Sequence, residues 1–551
     1  MNTYDALQTI ELQTMWHRLI AIVEEQAQTL LRTAFSPIVR ECGDLSAGVF
    51  DTQGRMLAQA VTGAPGHVNT MAESVQHFLR RYPLDTMQPG DVFLTNDPWM
   101  GTGHLNDFVM VTPAFRGGEA VALFCATSHI MDIGGLGFGP DALDVYMEGL
   151  YIPPLRLFDG GELNGTLMDM IRGNTRQPME TEGDTYALAA CNAVGAKRLV
   201  EMMDEFGLAS LDALGQFILE RSREAMLEQV RKLPQGTWRN VMTVDGYGSP
   251  IEIHAALTVS DHGIHVDYEG SSAQSARGIN VPISYATAYS LFGLACAVSG
   301  CIPNNSGSLS VFTVAAPPGS ILNAARPAPV STRHVLGQML PDVVFGCLRQ
   351  IIPERVPAEG TAAVWLITLR GEAADAAAGT YGFTLGFTSN GGTGAREARD
   401  GLSATAFPTS LACTPVEIAE TQTPLVFWRK ELREGSGGAG RTRGGLGQVI
   451  EIESACQKNF EILASFDRID FPPRGQDGGH DGAAGFVGLR SGERLKGKGA
   501  QSVAAGERLV IMTPGGAGRG DPCERDPLLV RFDVASGLVS SRDSDAIYGT
   551  A

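Results

Sequence analysis

No two of the nine cysteines are spaced as Cys-x-x-Cys, which removes a zinc ribbon and a thioredoxin-type redox pair. No stretch approaches the roughly 18 consecutive apolar residues of a membrane span, so no membrane partner is expected. Basic side chains are the minority, 42 against 61 acidic ones for a formal charge of −19. They nowhere gather into the basic stripe that a nucleic-acid surface needs. A Walker loop is also missing: Lys496-Gly497-Lys498-Gly499 has the wrong order for GxxxxGK[ST], and no GxGxxG opens a helix after a strand. Nothing in the chain reads as an ATP cradle. The start, Met1-Asn2-Thr3-Tyr4-Asp5, lacks the basic region of a secretory leader. An odd number of cysteines, mostly in apolar or small-residue settings, suits reduced and buried thiols, and a cytoplasmic location is expected.

Glycine is abundant, 67 in 551 residues, but clustered without a period, which excludes collagen-like and linker sequences. Hydrophobic content of 44% and charged content of 19% describe an ordinary folded protein. The length calls for two to four lobes at about 150 residues each. We expect an α+β, multi-lobed fold with mixed or antiparallel sheets and flanking helices. The expected lobes are 1–235, 236–380 and a glycine-rich, β-rich 381–551.

Leu7, Ile10, Met15, Leu19, Ile22, Val23, Ala27 and Leu30 recur at three- and four-residue steps, predicting an amphipathic helix over 5–33. Ser36-Pro37 ends it. Gly63–Val68 reads as a loop before a helix over about 70–81. Helical patterns fill 184–232. From 236 the period changes to that of strands, Trp238–Val244, Ile251–Val259 and Gly263–Tyr268, a small meander. Its His254, His262 and His265 fall in alternating strands or a turn and read as solvated. Segments 280–300 and 335–352 are apolar and helical in character.

The chemistry gathers at Asn96-Asp97-Pro98-Trp99-Met100-Gly101-Thr102-Gly103-His104-Leu105-Asn106-Asp107 and its echo Ser128-His129-Ile130-Met131-Asp132-Ile133-Gly134-Gly135. Each carries His-x-x-Asp beside an apolar run, and Arg116-Gly117-Gly118-Glu119 joins the two runs into a hairpin. With the turn centred on Gly117–Gly118, facing residues have numbers summing to about 235, which sets Asp107 opposite Ser128. His104 and His129 then share the open end. Two imidazoles and at least one carboxylate at one place suit Zn, Mn or Fe. The competing reading makes each His a strand cap and each Asp a turn-former. Asp44 also precedes an apolar strand and is a further carboxylate candidate. The Gly134–Tyr146 loop is too long and glycine-rich for a simple connector and is expected to shape a pocket.

These strings resemble the hydantoinase B/oxoprolinase family. Its carriers also include Arg40-Glu41-Cys42-Gly43-Asp44-Leu45-Ser46, Pro65-Gly66-His67, Val266–Ser271, Pro317–Ser320, Gly438–Gly447 and Thr513–Pro522, in order along nearly the whole chain. The resemblance implies a B-type subunit that works with a separate, nucleotide-binding A-type subunit. That partner uses ATP and Mg to phosphorylate the carbonyl oxygen of a cyclic amide, and the B-type subunit holds one divalent metal and completes hydrolysis. By the resemblance the ligands are His104, Asp107 and His129, with Asp44 as a fourth, and Zn is preferred over Mn or Fe. Asp97 and Asp132 are our own candidates for orienting the attacking water. The assembly expected is A2B2 or larger. A ketone carboxylase subunit and a scaffold with a structural metal are the alternatives, and the 551-residue length favours the hydrolase.

Overall fold

The computed structural model describes residues 6–362, 364–375 and 379–549. The first five residues, on which the reading of the amino terminus rests, lie outside them. Seven antiparallel strands form the first sheet: β1 (Leu45–Phe50), β2 (Met56–Gln59), β3 (Val92–Thr95), β4 (Asp107–Arg116), β5 (Glu119–His129), β6 (Leu155–Asp159) and β7 (Glu162–Leu163). Their order is β2-β1-β5-β4-β3-β6-β7. The central strands are apolar on both faces because both faces are covered. Alternate residues of β5 show this: Ala122 and Phe124 meet helices α1 (Ala6–Thr33) and α5 (Pro178–Glu205), while Leu123 and Cys125 point to the opposite side. The short α2 (Pro37–Arg40) follows α1, and α4 (Gly165–Asn174) precedes α5.

The other face of the sheet carries α3 (Pro65–Arg81) and the middle of the chain. There β8 (Gly236–Val244), β9 (Ile251–Ser260) and β10 (Gly263–Asp267) form the expected meander, and β11 (Phe312–Ala315) adds parallel to β10. Around it lie α6 (Asp212–Val230), α7 (Ile283–Ser299), α8 (Ser306–Leu309), α9 (His334–Gly337) and α10 (Leu340–Leu348). Met71, Phe78 and Val109 share one apolar core with Leu257, Leu294 and Val344. Among the described residues, one apolar core therefore holds side chains from both sides of residue 235.

The last part is two antiparallel four-stranded sheets. One is β12 (Trp365–Asp375), β13 (Gly379–Ser389), β16 (Phe460–Ser465) and β18 (Lys498–Val503). The other is β14 (Leu425–Leu432), β15 (Gln448–Ser454), β17 (Phe486–Leu489) and β19 (Arg508–Met512). They enclose Trp365, Ile367, Ile450, Ile462 and Ile511. The β12–β13 pair straddles residue 380.

The glycine runs of this part lie against one another as extended backbone. Gly392 donates to Pro514, Gly445 to Thr393, Gly516 to Gly445 and Gly438 to Gly516, at 2.8–3.1 Å. A Cβ on Gly392, Gly444 or Gly516 meets a neighbouring carbonyl well inside van der Waals contact. Glycine is therefore required there by the approach of backbone to backbone. All nine cysteines are free. Cys42, Cys125, Cys191 and Cys347 are buried as expected, whereas Cys296, Cys301 and Cys523 are exposed. Among the described residues no helix is long and apolar enough to cross a membrane.

Candidate metal centre

The hairpin register corrects the sequence expectation by one residue. Arg116 pairs with Glu119 and Phe115 with Ala120, as a turn at Gly117–Gly118 requires. Ala114 then pairs with Ala122, so Val121 is an extra residue, a β-bulge. Beyond the bulge Asp107 faces His129 rather than Ser128. β1 lies on the other side of β5, with Leu45 opposite Ser128, and the His129 amide donates to the Asp44 carbonyl at 3.1 Å. Three neighbouring strand ends thus bring Asp44, His129 and Asp107 to one edge, and His104 precedes Asp107 by three residues.

Ligand atoms of His104, Asp107 and His129 lie within 4.8 Å of one another, and all three residues are buried. His104 Nε2 is 2.7 Å and His129 Nδ1 3.2 Å from Asp107 Oδ1. Asp44 Oδ2 is 4.0 Å from His129 Nδ1. The helix α3 supplies a member that periodicity did not reveal. It begins at Pro65, because a proline at the first helical position sacrifices no hydrogen bond. The expected start near 70 is therefore one turn late. His67, in that first turn, sets Nε2 3.0 Å from Asp107 Oδ2 and Nδ1 3.5 Å from Asp44 Oδ1. The middle of the chain adds Arg333, whose Nη2 is 2.7 Å from Asp107 Oδ2 and whose guanidinium stacks 4.1 Å from the centre of the Tyr285 ring.

The charges decide what this cluster wants. Burial pushes the Asp107 carboxyl up, but His67 and the Arg333 guanidinium outweigh it and hold it well below the usual carboxylate range. Burial, reinforced by Arg333, brings His104 down to about 3, so its imidazole is neutral. His104 Nδ1 lies 2.9 Å from the Ser331 carbonyl, a contact that a neutral ring makes by donating Nδ1–H. Nε2 is then a bare lone pair aimed at the Asp107 carboxylate, and it has no hydrogen-bond partner. Two lone pairs at this separation repel unless a cation lies among them. His129 Nε2 is likewise buried without a partner. Two imidazoles, one with its tautomer fixed by a carbonyl, and a carboxylate oriented by Arg333 and Thr102 fit a divalent metal.

The residues line a cavity of about 30 Å³, room for a water-sized occupant. The Gly134–Tyr146 loop closes it with Phe138, whose ring centre is 5.7 Å from that of His104, 5.2 Å from His129 and 5.6 Å from His334. Asp97 and Asp132 do not line it. Asp97 accepts from Arg326 at 2.7 Å and Tyr151 at 2.8 Å, and Asp132 pairs with Arg176 at 2.7 Å. Both carboxylates are committed to arginines and brace the loops that carry the histidines. His254, His262 and His265 do not line the cavity either; on the meander His254 meets Glu252 and His265 meets Thr313.

Glu148 supports the centre from behind. Its Oε1 accepts the amides of Val330 at 2.6 Å and Ser331 at 2.7 Å, which fixes the carbonyl that holds His104. Burial pushes its carboxyl up to about 8 against an ordinary value of 4.5. The folded chain then keeps this proton over a range where the unfolded chain has released it. Its contribution is complete below pH 4.5 and is lost as the pH rises to about 8. Glu148→Gln does not titrate, so its stability relative to the wild type should climb between pH 5 and pH 8 in urea unfolding. A difference that stays constant across that window contradicts the assignment.

The sequence profile described as hydantoinase B/oxoprolinase matches residues 8–522. The chain belongs to the hydantoinase B/oxoprolinase family. The β subunit of caprolactamase from Pseudomonas jessenii is 28% identical, over 100% of this chain and 96% of that one. The crystal structure of ATP-dependent caprolactamase from the same organism superposes on 100% of this chain and 97% of its own, with a TM-score of 0.89 and 27% identity. A nucleotide-free acetone carboxylase shares the fold, with a TM-score of 0.85 at 20% identity over 98% of this chain and 79% of that one.

Proposed function

We propose that this hydantoinase B family chain is the metal-holding subunit of an ATP-dependent cyclic amide hydrolase that opens a hydantoin, 5-oxoproline or a lactam. The observation that carries it is the buried His104–Asp107–His129 triad, with His104 Nε2 bare, in a chain aligned end to end with a caprolactamase subunit. His104, Asp107 and His129, with Asp44 as a fourth, hold one divalent ion, zinc by preference and manganese or iron otherwise. Such an ion supplies Lewis acidity and brings the pKa of water near neutrality. Arg333 and His67 keep Asp107 ionised and aimed, Glu148 fixes the carbonyl behind His104, and Phe138 keeps bulk water out.

An unstrained amide is a poor electrophile. A partner A-type subunit, using ATP and Mg, phosphorylates its carbonyl oxygen, which makes the carbon electrophilic and the oxygen a leaving group. Water then adds to that carbon and the ring C–N bond breaks, freeing the amine and leaving an acyl phosphate, which a second water hydrolyses to carboxylate and phosphate. The absence of a nucleotide loop in this chain supports that division, in a hetero-oligomer of A2B2 form or larger. We place the assembly in the cytoplasm, consistent with nine unpaired cysteines.

The test is to co-purify the chain with its partner and supply hydantoin, 5-oxoproline and caprolactam. ATP-dependent ring opening of one of them is expected. Bicarbonate-dependent consumption of a ketone without ring opening overturns this reading in favour of a carboxylase subunit. Chelation should abolish turnover, and one equivalent of metal per chain should restore it. Ring opening that survives complete metal removal, checked by atomic emission, leaves the ion no part in catalysis.

A further inference from the structure

We propose that His334 is the catalytic residue that holds the attacking water in the cavity, through a hydrogen bond at Nε2. This rests on the function proposed above. His334 opens α9, more than 200 residues from the hairpin, yet it lines the same cavity as Asp44, His67, His104 and His129. It is buried, and its Nε2 has no hydrogen-bond partner. A buried polar atom left unpaired costs about 1–3 kcal/mol, so a ring in this state signals an occupant. The void beside it, about 30 Å³, takes a water-sized molecule.

His67, Arg333, Asp97 and Asp132 each have a charged partner. His67 sits between Asp44 and Asp107. Arg333 is bound to Asp107 and to the Thr102 carbonyl. Asp97 and Asp132 are paired with Arg326 and Arg176. The His334 plane is fixed by a stacked contact with Phe138, 5.6 Å between centres at an interplanar angle of 18°. Burial, together with the adjacent Arg333 charge, keeps the imidazole neutral, so it offers a lone pair or an N–H to water without adding a cation to the centre. It is not drawn into the triad: the atoms that converge within 4.8 Å belong to His104, Asp107 and His129.

Two measurements on the metal-loaded protein test this. A crystal structure that resolves waters should show one within about 3 Å of His334 Nε2, and that water should vanish in His334→Phe, which keeps the stacked ring. In the complex with its partner, His334→Phe should retain full metal content and lose about 10²-fold in kcat with little change in KM. His334→Gln, which restores a polar atom, should recover part of the loss. No water at Nε2, or an unchanged kcat, overturns the proposal, and loss of metal in His334→Phe makes His334 a ligand instead. An ordered water at Nε2 in a complex that opens no cyclic amide sustains the placement and overturns only the hydrolase reading.

Discussion

Asp107→Asn should leave the chain without its metal and lower ring opening by at least about 10³-fold, since a metal's charge stabilisation is worth several kcal/mol. Asparagine keeps the shape of the side chain and deletes its charge. That charge faces His67, His104, His129 and Arg333 at 2.7–3.2 Å. Oδ2 is held by Arg333, Thr102 and His67, and Oδ1 is turned toward His104 and His129. The substitution also strands the Arg333 guanidinium, which is 4% exposed. Removing one partner of a buried pair costs about 3–5 kcal/mol. Metal content by atomic emission and unfolding by urea separate the two effects. His129→Ala leaves the Arg333–Asp107 pair in place and should lose metal and activity with a smaller fall in stability. Full metal content and full activity in both variants contradict the assignment.

Gly392→Ala should be among the most damaging single methyls in the chain's last part, lowering stability by more than about 4 kcal/mol. The atoms its Cβ meets are the Gly445 carbonyl and the Gly516 amide nitrogen, all of them backbone. Backbone cannot turn away as a side chain does, and those same atoms hold the hydrogen bonds that stitch the runs together. Gly173→Ala, on α4 with no heavy atom within 4 Å, should instead be neutral or stabilising by about 0.5–1 kcal/mol. Thermal unfolding of the two variants beside the wild type decides. An unchanged midpoint for Gly392→Ala means the packing of the runs is looser than described.

These glycines show how far sequence carries. Their clustering, without a nucleotide-loop order, reads as tight turns or as backbone brought close to a partner or substrate; that the runs meet one another was not legible, because glycine has no side-chain pattern to set a register. The meander at 236–268 and the helix over 6–33 were legible because their apolar periods are clean. At α1 the pattern runs past its support: Leu7 and Ile10 belong to the apolar stripe yet are exposed. The helix start at Pro65 was hidden because Gly66 is a weak helix former, and its place depends on the sheet it packs against.

At the centre, His104, Asp107 and His129 were legible as two echoed motifs on one hairpin. Their pairing depended on the bulge at Val121, which leaves no mark in the sequence. Asp44 was a candidate by its place before an apolar strand and a ligand by family resemblance, and the pairing of β1 with β5 supplies its physical reason. His67 stood in plain view in Pro65-Gly66-His67 without a pattern to mark it as a site residue. Arg333, His334 and Glu148 come from chain far away in sequence, and no local period records which loop will fold over which strand end. Asp97 and Asp132, our candidates for orienting the water, make ion pairs with Arg326 and Arg176.

The most direct test is X-ray diffraction from crystals of the metal-loaded chain, collected on either side of the absorption edge of the ion it carries. The account predicts one anomalous peak per chain, enclosed by His104, Asp107 and His129 with Asp44 beside it. A peak bound elsewhere, or none at this edge of the sheet after loading, contradicts it.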